Sequence, residues 1–242
     1  MNNISENFKG YDFLDFGCST GANIKYMQKI VPSIRGLGID IDQKKIDLCR
    51  LNGFNAINYD ILKLSSEKIV RYVTMSHFLE HLPSVKIADA MIRKGIDVAR
   101  EFIFIRQPWF DSDGFLLQND LKFYWSDWRG HSNKMTSLDF YIILKKAIDL
   151  GVISGFYIYA RAAVELSADN AIIPLSAGTD QHHFDASLHG TKDEKIKILP
   201  LAYKELVVVA SVAPFMEMQS QIQIFLKPLG ELILLKSVES DV

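Results

Sequence analysis

Apolar positions in the first 105 residues follow two alternating patterns. Short, nearly continuous apolar runs rich in β-branched and aromatic residues occupy 12–16, 36–41, 55–59, 72–76 and 101–106. Runs of this length and composition predict strands buried on both faces. Between them, apolar residues recur every three or four positions. Ile87, Met91, Ile92, Ile96 and Ala99 share one helical face in 84–100, and Ile46, Cys49 and Arg50 recur in 43–52, which Gly53 closes. Strand–helix alternation predicts an α/β fold with a parallel sheet and helices on both faces.

The second half is patterned differently. Thr136 and Asp139 form a capping box that starts an apolar-striped helix running to Asp149, with Gly151 as its stop. The stretches 156–164 and 206–212 are strand-like. They flank 165–205, about 40 residues with little periodicity; unpatterned segments that long are commonly lids or binding segments, and this one is expected over the substrate side of the sheet. Two apolar stretches in the tail, 222–226 and 232–235, are expected to form a closing hairpin or a small oligomer contact. The expectation is a single domain, 1–242, with a cofactor-binding half at 10–110. A substrate-side half at 111–213 contains the 165–205 insertion, and 214–242 is a C-terminal extension.

Composition narrows the function. The apolar fraction of 48% is ample for a core, and 27 basic side chains nearly balance 29 acidic ones. That balance gives no support to bulk nucleic-acid binding or a membrane-surface role. Two cysteines, Cys18 and Cys49, provide neither a disulfide framework nor a CxxC pair, so a reducing, cytoplasmic setting is expected. The opening residues, MNNISENFKGYD, are polar, and no secretory leader is expected from them. No apolar run approaches the ~20 residues that cross a bilayer.

Four elements carry chemistry, each at the end of an expected strand. Phe13-Leu-Asp-Phe-Gly-Cys-Ser-Thr-Gly-Ala22 joins the first strand to the first helix. Its small residues permit close backbone approach to a ligand, and the helix aims its N-terminal amides at the turn. The spacing Gly17-x-x-x-Gly21 departs from the Gly-x-Gly-x-x-Gly of dinucleotide folds, and Asp15 before the turn suits a ligand with an amino group better than a pyrophosphate. Asp40, with Ile41 beside it, ends the second strand about 20 residues on, where a carboxylate accepts from ribose hydroxyls. Asp42 is placed to cap the next helix. Asp60 is positioned to accept from an adenine amino group, with Ile61 packing on the ring. Ser76-His-Phe-Leu-Glu-His81 brings Ser76, His77, Glu80 and His81 to the same edge.

In this D-x-G-C-x-T-G loop and H-x-L-E-H segment the chain resembles the class I S-adenosylmethionine-dependent methyltransferases, over roughly residues 10–110. The resemblance implies a Rossmann-like, doubly wound, seven-stranded sheet, mostly parallel with an antiparallel last strand, and S-adenosyl-L-methionine as cofactor. It implies that Asp15, Gly17 and Gly21 surround the methionyl part, that Asp40 holds the ribose and that Asp60 holds the adenine. Ser19 stands where the family usually has a glycine, and its hydroxyl is a candidate for the cofactor carboxylate.

Methyl transfer is an in-line displacement at an electrophilic methyl, so alignment does most of the work, and a hydroxyl acceptor gains from a general base. His131, in Tyr124-Trp-Ser-Asp-Trp-Arg-Gly-His-Ser-Asn133, is the first candidate base, with Gly130 giving a sharp turn beside it. His77 and His81 follow. Trp109, Trp125 and Trp128 are expected in the core or the pocket wall. The His182, His183 and His189 region, with Asp180 and Asp185, matches no standard metal spacing, and no metal site is expected. The expected partner is a small molecule methylated on oxygen, with a sugar or glycan intermediate favoured. The alternatives are an N-methyltransferase for an amine or protein side chain, and a non-catalytic cofactor-binding scaffold. The sequence leaves the oligomeric state open.

Overall fold

The computed structural model describes residue 8, residues 10–190 and residues 196–240. Among the described residues ten strands and seven α-helices follow one another as β1 (Phe13–Phe16), α1 (Ala22–Ile30), β2 (Gly36–Asp40), α2 (Gln43–Leu51), β3 (Ala56–Asn58), β4 (Val70–Ser76), α3 (Val85–Val98), β5 (Ala99–Pro108), α4 (Asp113–Gln118), β6 (Leu121–Phe123), α5 (Ser137–Asp149), β7 (Gly155–Leu166), β8 (Ile172–Pro174), α6 (Ala186–His189), β9 (Lys197–Ser211), α7 (Phe215–Leu226) and β10 (Leu232–Glu239).

Eight of the strands form one sheet in the order β10-β7-β9-β5-β4-β1-β2-β3, and β6 pairs with β8 in a separate two-stranded sheet. The central strands are parallel, and β9 runs antiparallel to both β5 and β7. The expected seven strands are therefore exceeded by one. β10 adds an antiparallel edge beside β7, so the tail is a helix and an edge strand rather than a hairpin. Phe215, Met218, Ile222, Phe225 and Leu226 form the buried stripe of α7, with the 3–4 residue spacing of an amphipathic helix.

The period of two along each strand divides the core cleanly. Leu14, Phe16, Val73, Met75, Ile103, Ile105 and Val208 face α3 and α5. Phe13, Tyr72, Phe102, Phe104, Val207 and Val209 face α1, α2 and α7. On that second face Tyr72 is stacked between Phe13 and Phe102, at centroid distances of 5.3 and 5.0 Å. The helix starts follow their side chains. Asp42 accepts from the Lys44 and Lys45 amides, and the Thr136–Asp139 capping box is complete. Among the described residues no helix is long and apolar enough to cross a membrane.

Parallel strands on both sides of β1 put the carboxyl ends of β1, β2, β4 and β5 on one edge, where open α/β sheets bind ligands. The 165–205 segment, as far as it is described, reaches the same edge, because β7 and β9 extend well beyond the sheet before and after it.

Candidate active site

The turn after β1 is held open by backbone conformation and closed in by packing. Gly17, Ser19 and Gly21 all have positive φ, at 68°, 48° and 90°. A Cβ on Gly17 would lie 2.1 Å from the Phe78 ring, and one on Gly21 would lie 2.5 Å from the Phe54 ring. Both glycines thus serve tight packing as well as the turn. Ser19 tolerates the left-handed conformation because Asp40 Oδ2 accepts its amide at 3.1 Å, while Oδ1 accepts the Asp42 amide at 3.0 Å. Cys18 is buried against Gly38, and burial pushes its thiol pKa up. It is a packing residue.

Beneath the turn Asp15 is fully buried. Its Oδ1 accepts from Asn23 Nδ2 at 2.6 Å and from Thr74 Oγ1 at 2.8 Å. Burial raises its pKa to about 7, against the lowering effect of those two bonds. Asp15 Oδ2 and Asn23 Oδ1 are buried acceptors with no donor among the described residues. Buried polar groups are nearly always satisfied, so two orphaned acceptors beside a strand–helix turn fit a ligand that brings an ammonium group.

The other cofactor candidates lie along the same edge. Ile41 is 77% exposed, an apolar face in solvent beside Asp40. Asp60 caps the short turn Ile61–Lys63 by accepting the Leu62 amide at 3.1 Å, with its other oxygen 3.7 Å from Lys63. Ile61, expected to pack on an adenine ring, is instead 5% exposed and belongs to the core packed by α3. Its side chain turns inward because the 3-10 turn capped by Asp60 carries it there. Ser76 ends β4, half-buried.

Next to this edge opens a cavity of about 670 Å³. His77, Glu80, His81 and His131 form one side of it, Tyr124, Trp125 and Trp128 another, and Arg161, Asn170, His182, His183, Lys204 and Glu205 the rest. The three candidate bases therefore converge, although His131 is about 50 residues from the other two. The turn Leu79–His81 is fastened to the 128–133 loop by three bonds. The Asn133 amide donates to the Glu80 carbonyl at 3.1 Å, Asn133 Nδ2 donates to the Leu79 carbonyl at 3.1 Å, and His81 Nδ1 donates to the Gly130 carbonyl at 2.8 Å. Gly130 lies in a turn but outside the left-handed region. What requires glycine there is the Trp128 ring, 2.6 Å from where a Cβ would stand.

The three histidines differ in their partners. His77 Nε2 lies 3.1 Å from Glu205 and its Nδ1 3.3 Å from Glu80. Burial pulls its pKa down, but those two bonds outweigh it and hold the ring as an imidazolium, with a pKa pushed up to about 9. A ring in that state has no lone pair to offer as a base. His131 Nδ1 donates to the Trp125 carbonyl at 2.9 Å, which leaves the lone pair on Nε2, and burial pushes its pKa down. His81 is likewise anchored through Nδ1.

Sequence reasoning missed the charge cluster behind His77. Glu205, 5% exposed, accepts from Arg106 Nη2 at 2.7 Å and from Arg161 Nη1 at 2.8 Å. Burial raises its pKa, but His77, Arg106 and Arg161 together bring it down to about 2. The available signal was a charged residue inside or beside each of three otherwise apolar runs, Arg106, Arg161 and Glu205. The expected wall residues divide. Trp125 and Trp128 line the cavity, whereas Trp109 is core, donating to Ser112 at 2.8 Å. In the 180–189 region His182 and His183 face the cavity, Asp180 pairs with Arg129, Asp185 caps α6 and His189 contacts Gln181.

A family model described as a methyltransferase domain matches residues 14–94. Among solved structures, a SAM-dependent methyltransferase from Archaeoglobus fulgidus aligns with a TM-score of 0.55 at 19% identity, over 86% of this chain and 89% of that one. A SAM-dependent methyltransferase from Methanosarcina mazei aligns at 0.50 and 14%, over 87% and 97%. Magnesium protoporphyrin IX methyltransferase from Synechocystis PCC 6803, with bound SAH, aligns at 0.50 and 13%, over 87% and 78%. No curated protein matches the chain significantly. Residues 14–94 are thus similar to a methyltransferase domain, and the chain has the fold of SAM-dependent methyltransferases.

Proposed function

We propose that this chain transfers a methyl group from S-adenosyl-L-methionine to a hydroxyl of a small molecule, with a sugar or glycan intermediate as the favoured acceptor. When bound, the cofactor supplies an electrophilic methyl on a sulfonium. The methyltransferase match over 14–94 supports the cofactor, as do the unpaired acceptors Asp15 Oδ2 and Asn23 Oδ1. Asp15, Gly17, Ser19 and Gly21 would hold the methionyl end, Asp40 the ribose, and Ile41 and Asp60 the adenine end, with Ser76 close by.

The observation that carries the acceptor side is the bond from His131 Nδ1 to the Trp125 carbonyl. It fixes the tautomer in which Nε2 is the proton acceptor, and His131 lines the cavity. A base placed there takes the hydroxyl proton as the oxygen attacks. Tyr124, Trp125 and Trp128 offer flat faces to a ring, and Asn170, His182 and His183 offer hydrogen bonds at its rim.

The test is release of S-adenosylhomocysteine from purified protein given a panel of sugars, sugar nucleotides, phenols, amines and peptides. Turnover confined to hydroxyl acceptors is the expected result. Turnover with amines alone replaces the oxygen assignment with a nitrogen one. Cofactor binding without turnover on any acceptor points to a scaffold.

A further inference from the structure

We infer that Glu80, His81 and His131 form a binding site for a divalent transition-metal ion of the zinc class, on the wall of the acceptor cavity. One carboxylate oxygen of Glu80 and one ring nitrogen from each histidine all lie within 4.8 Å of one another. All three residues line the cavity. Two imidazoles and a carboxylate, with a further position facing a substrate, is the donor set of catalytic zinc sites.

Glu80 is the independent observation. Its side chain is 1% exposed, and Oε2 has no hydrogen-bond partner among the described residues. Oε1 has one charged neighbour, His77 Nδ1 at 3.3 Å. Leaving a buried carboxylate this poorly satisfied is costly, and a cation in the cavity wall satisfies it. The histidines are prepared in the manner of metal ligands. Each donates Nδ1–H to a backbone carbonyl, His81 to Gly130 and His131 to Trp125. Such outer bonds fix the tautomer and aim the remaining nitrogen. The three bonds between the Leu79–His81 turn and the 128–133 loop hold the two ligand-bearing segments together before any ion arrives.

Geometry decides how much must move. With bonds of about 2.0–2.1 Å, ligand atoms of a tetrahedral site stand roughly 3.4 Å apart. The cluster must therefore contract by up to about 1.4 Å from that 4.8 Å limit, and His81, which is exposed, can supply that by rotation. No sequence spacing announces the site, because its third ligand is 50 positions from the second.

This inference deepens the proposed function and rests on it for the chemistry. A bound ion would take the Nε2 lone pair of His131, which would then serve as a ligand in place of a base, and would supply a Lewis acid that lowers the pKa of an acceptor hydroxyl. The hydroxyl proton leaves to water in the cavity mouth. The resulting oxygen then bonds to the methyl carbon as the carbon–sulfur bond breaks, its electron pair passing to sulfur to leave S-adenosylhomocysteine.

The test measures metal directly. Full-length protein is stripped with a chelator and titrated with Zn²⁺ in competition with a chromophoric indicator. Co²⁺ then serves as a spectroscopic probe of coordination. One equivalent of Zn²⁺ is expected. Affinity should fall by at least about tenfold in both His81→Ala and Glu80→Gln and stay unchanged in His189→Ala, which lies outside the site. Circular dichroism confirms that each variant is folded. The absence of stoichiometric binding overturns the inference, as does binding that His81→Ala and Glu80→Gln leave intact. S-adenosylhomocysteine calorimetry on the stripped protein separates the two claims. Cofactor binding without metal binding leaves the methyl-transfer reading standing and removes the metal, and metal binding without cofactor binding does the reverse.

Discussion

Asp40 and Ser19 are joined by a 3.1 Å hydrogen bond from the Ser19 amide to Asp40 Oδ2, across 21 residues of chain. That bond lets a non-glycine residue hold a φ of 48° in the turn after β1. Asp40 therefore has two tasks, offering acceptors at the sheet edge and pinning the turn that faces them. Asp40→Ala should weaken cofactor binding by roughly 1.5–3 kcal/mol, the scale for hydrogen bonds to charged groups. Calorimetry with S-adenosylhomocysteine measures it, and unchanged affinity in a folded variant rules out the ribose assignment.

His131→Ala should lower turnover by ~10²–10⁴ while leaving cofactor affinity unchanged, because the ring is tied to the Trp125 loop and not to the turn after β1. Steady-state rates together with a cofactor titration check it. Full activity in the variant removes His131 from the chemistry.

Asp15 makes stability depend on pH. Its folded pKa, about 7, lies above its ordinary value of 3.8. Between those values the native chain keeps a proton that the unfolded chain gives up. Stability should therefore fall as pH rises from about 4 to about 7 and level off above that. Urea midpoints across this range should show the slope, and Asp15→Asn should flatten it. An unchanged slope in the variant assigns the effect to other groups.

Glu205 pairs with both Arg106 and Arg161 in a buried setting. Glu205→Ala leaves those cations without their carboxylate and should cost ~3 kcal/mol, the scale for removing one partner of a buried ion pair. Chemical denaturation reads the loss directly. A cost under about 1 kcal/mol would place the cluster among solvent-screened surface pairs.

The first half of the fold was legible in the sequence because its signals are local. Continuous apolar runs mark β1 to β5, and each candidate carboxylate stands within or just beyond the end of a run. The tail departs from a hairpin because 222–226 is only the end of a longer apolar stripe. Phe215 and Met218 extend that stretch backwards at helical spacing into α7. β6 and β8 have three residues each, too few to show a period. The charge cluster was illegible for another reason. Glu205 lies 99 residues from Arg106 and 44 from Arg161, and only the β5–β9–β7 pairing brings them together. The Glu80–His81–His131 grouping was hidden in the same way.

The short stretch from Phe78 to His81 has two faces. Phe78 fills the space above Gly17, while Glu80 and His81 line the acceptor cavity. Under the proposed function, diversification of the chain is unevenly constrained. A change at Asp40 would adjust the cofactor side alone, and a change at Trp128 would adjust the acceptor side alone. A change anywhere in 78–81 is felt on both, so that stretch sets how far the choice of acceptor can drift before the grip on the methyl donor drifts with it.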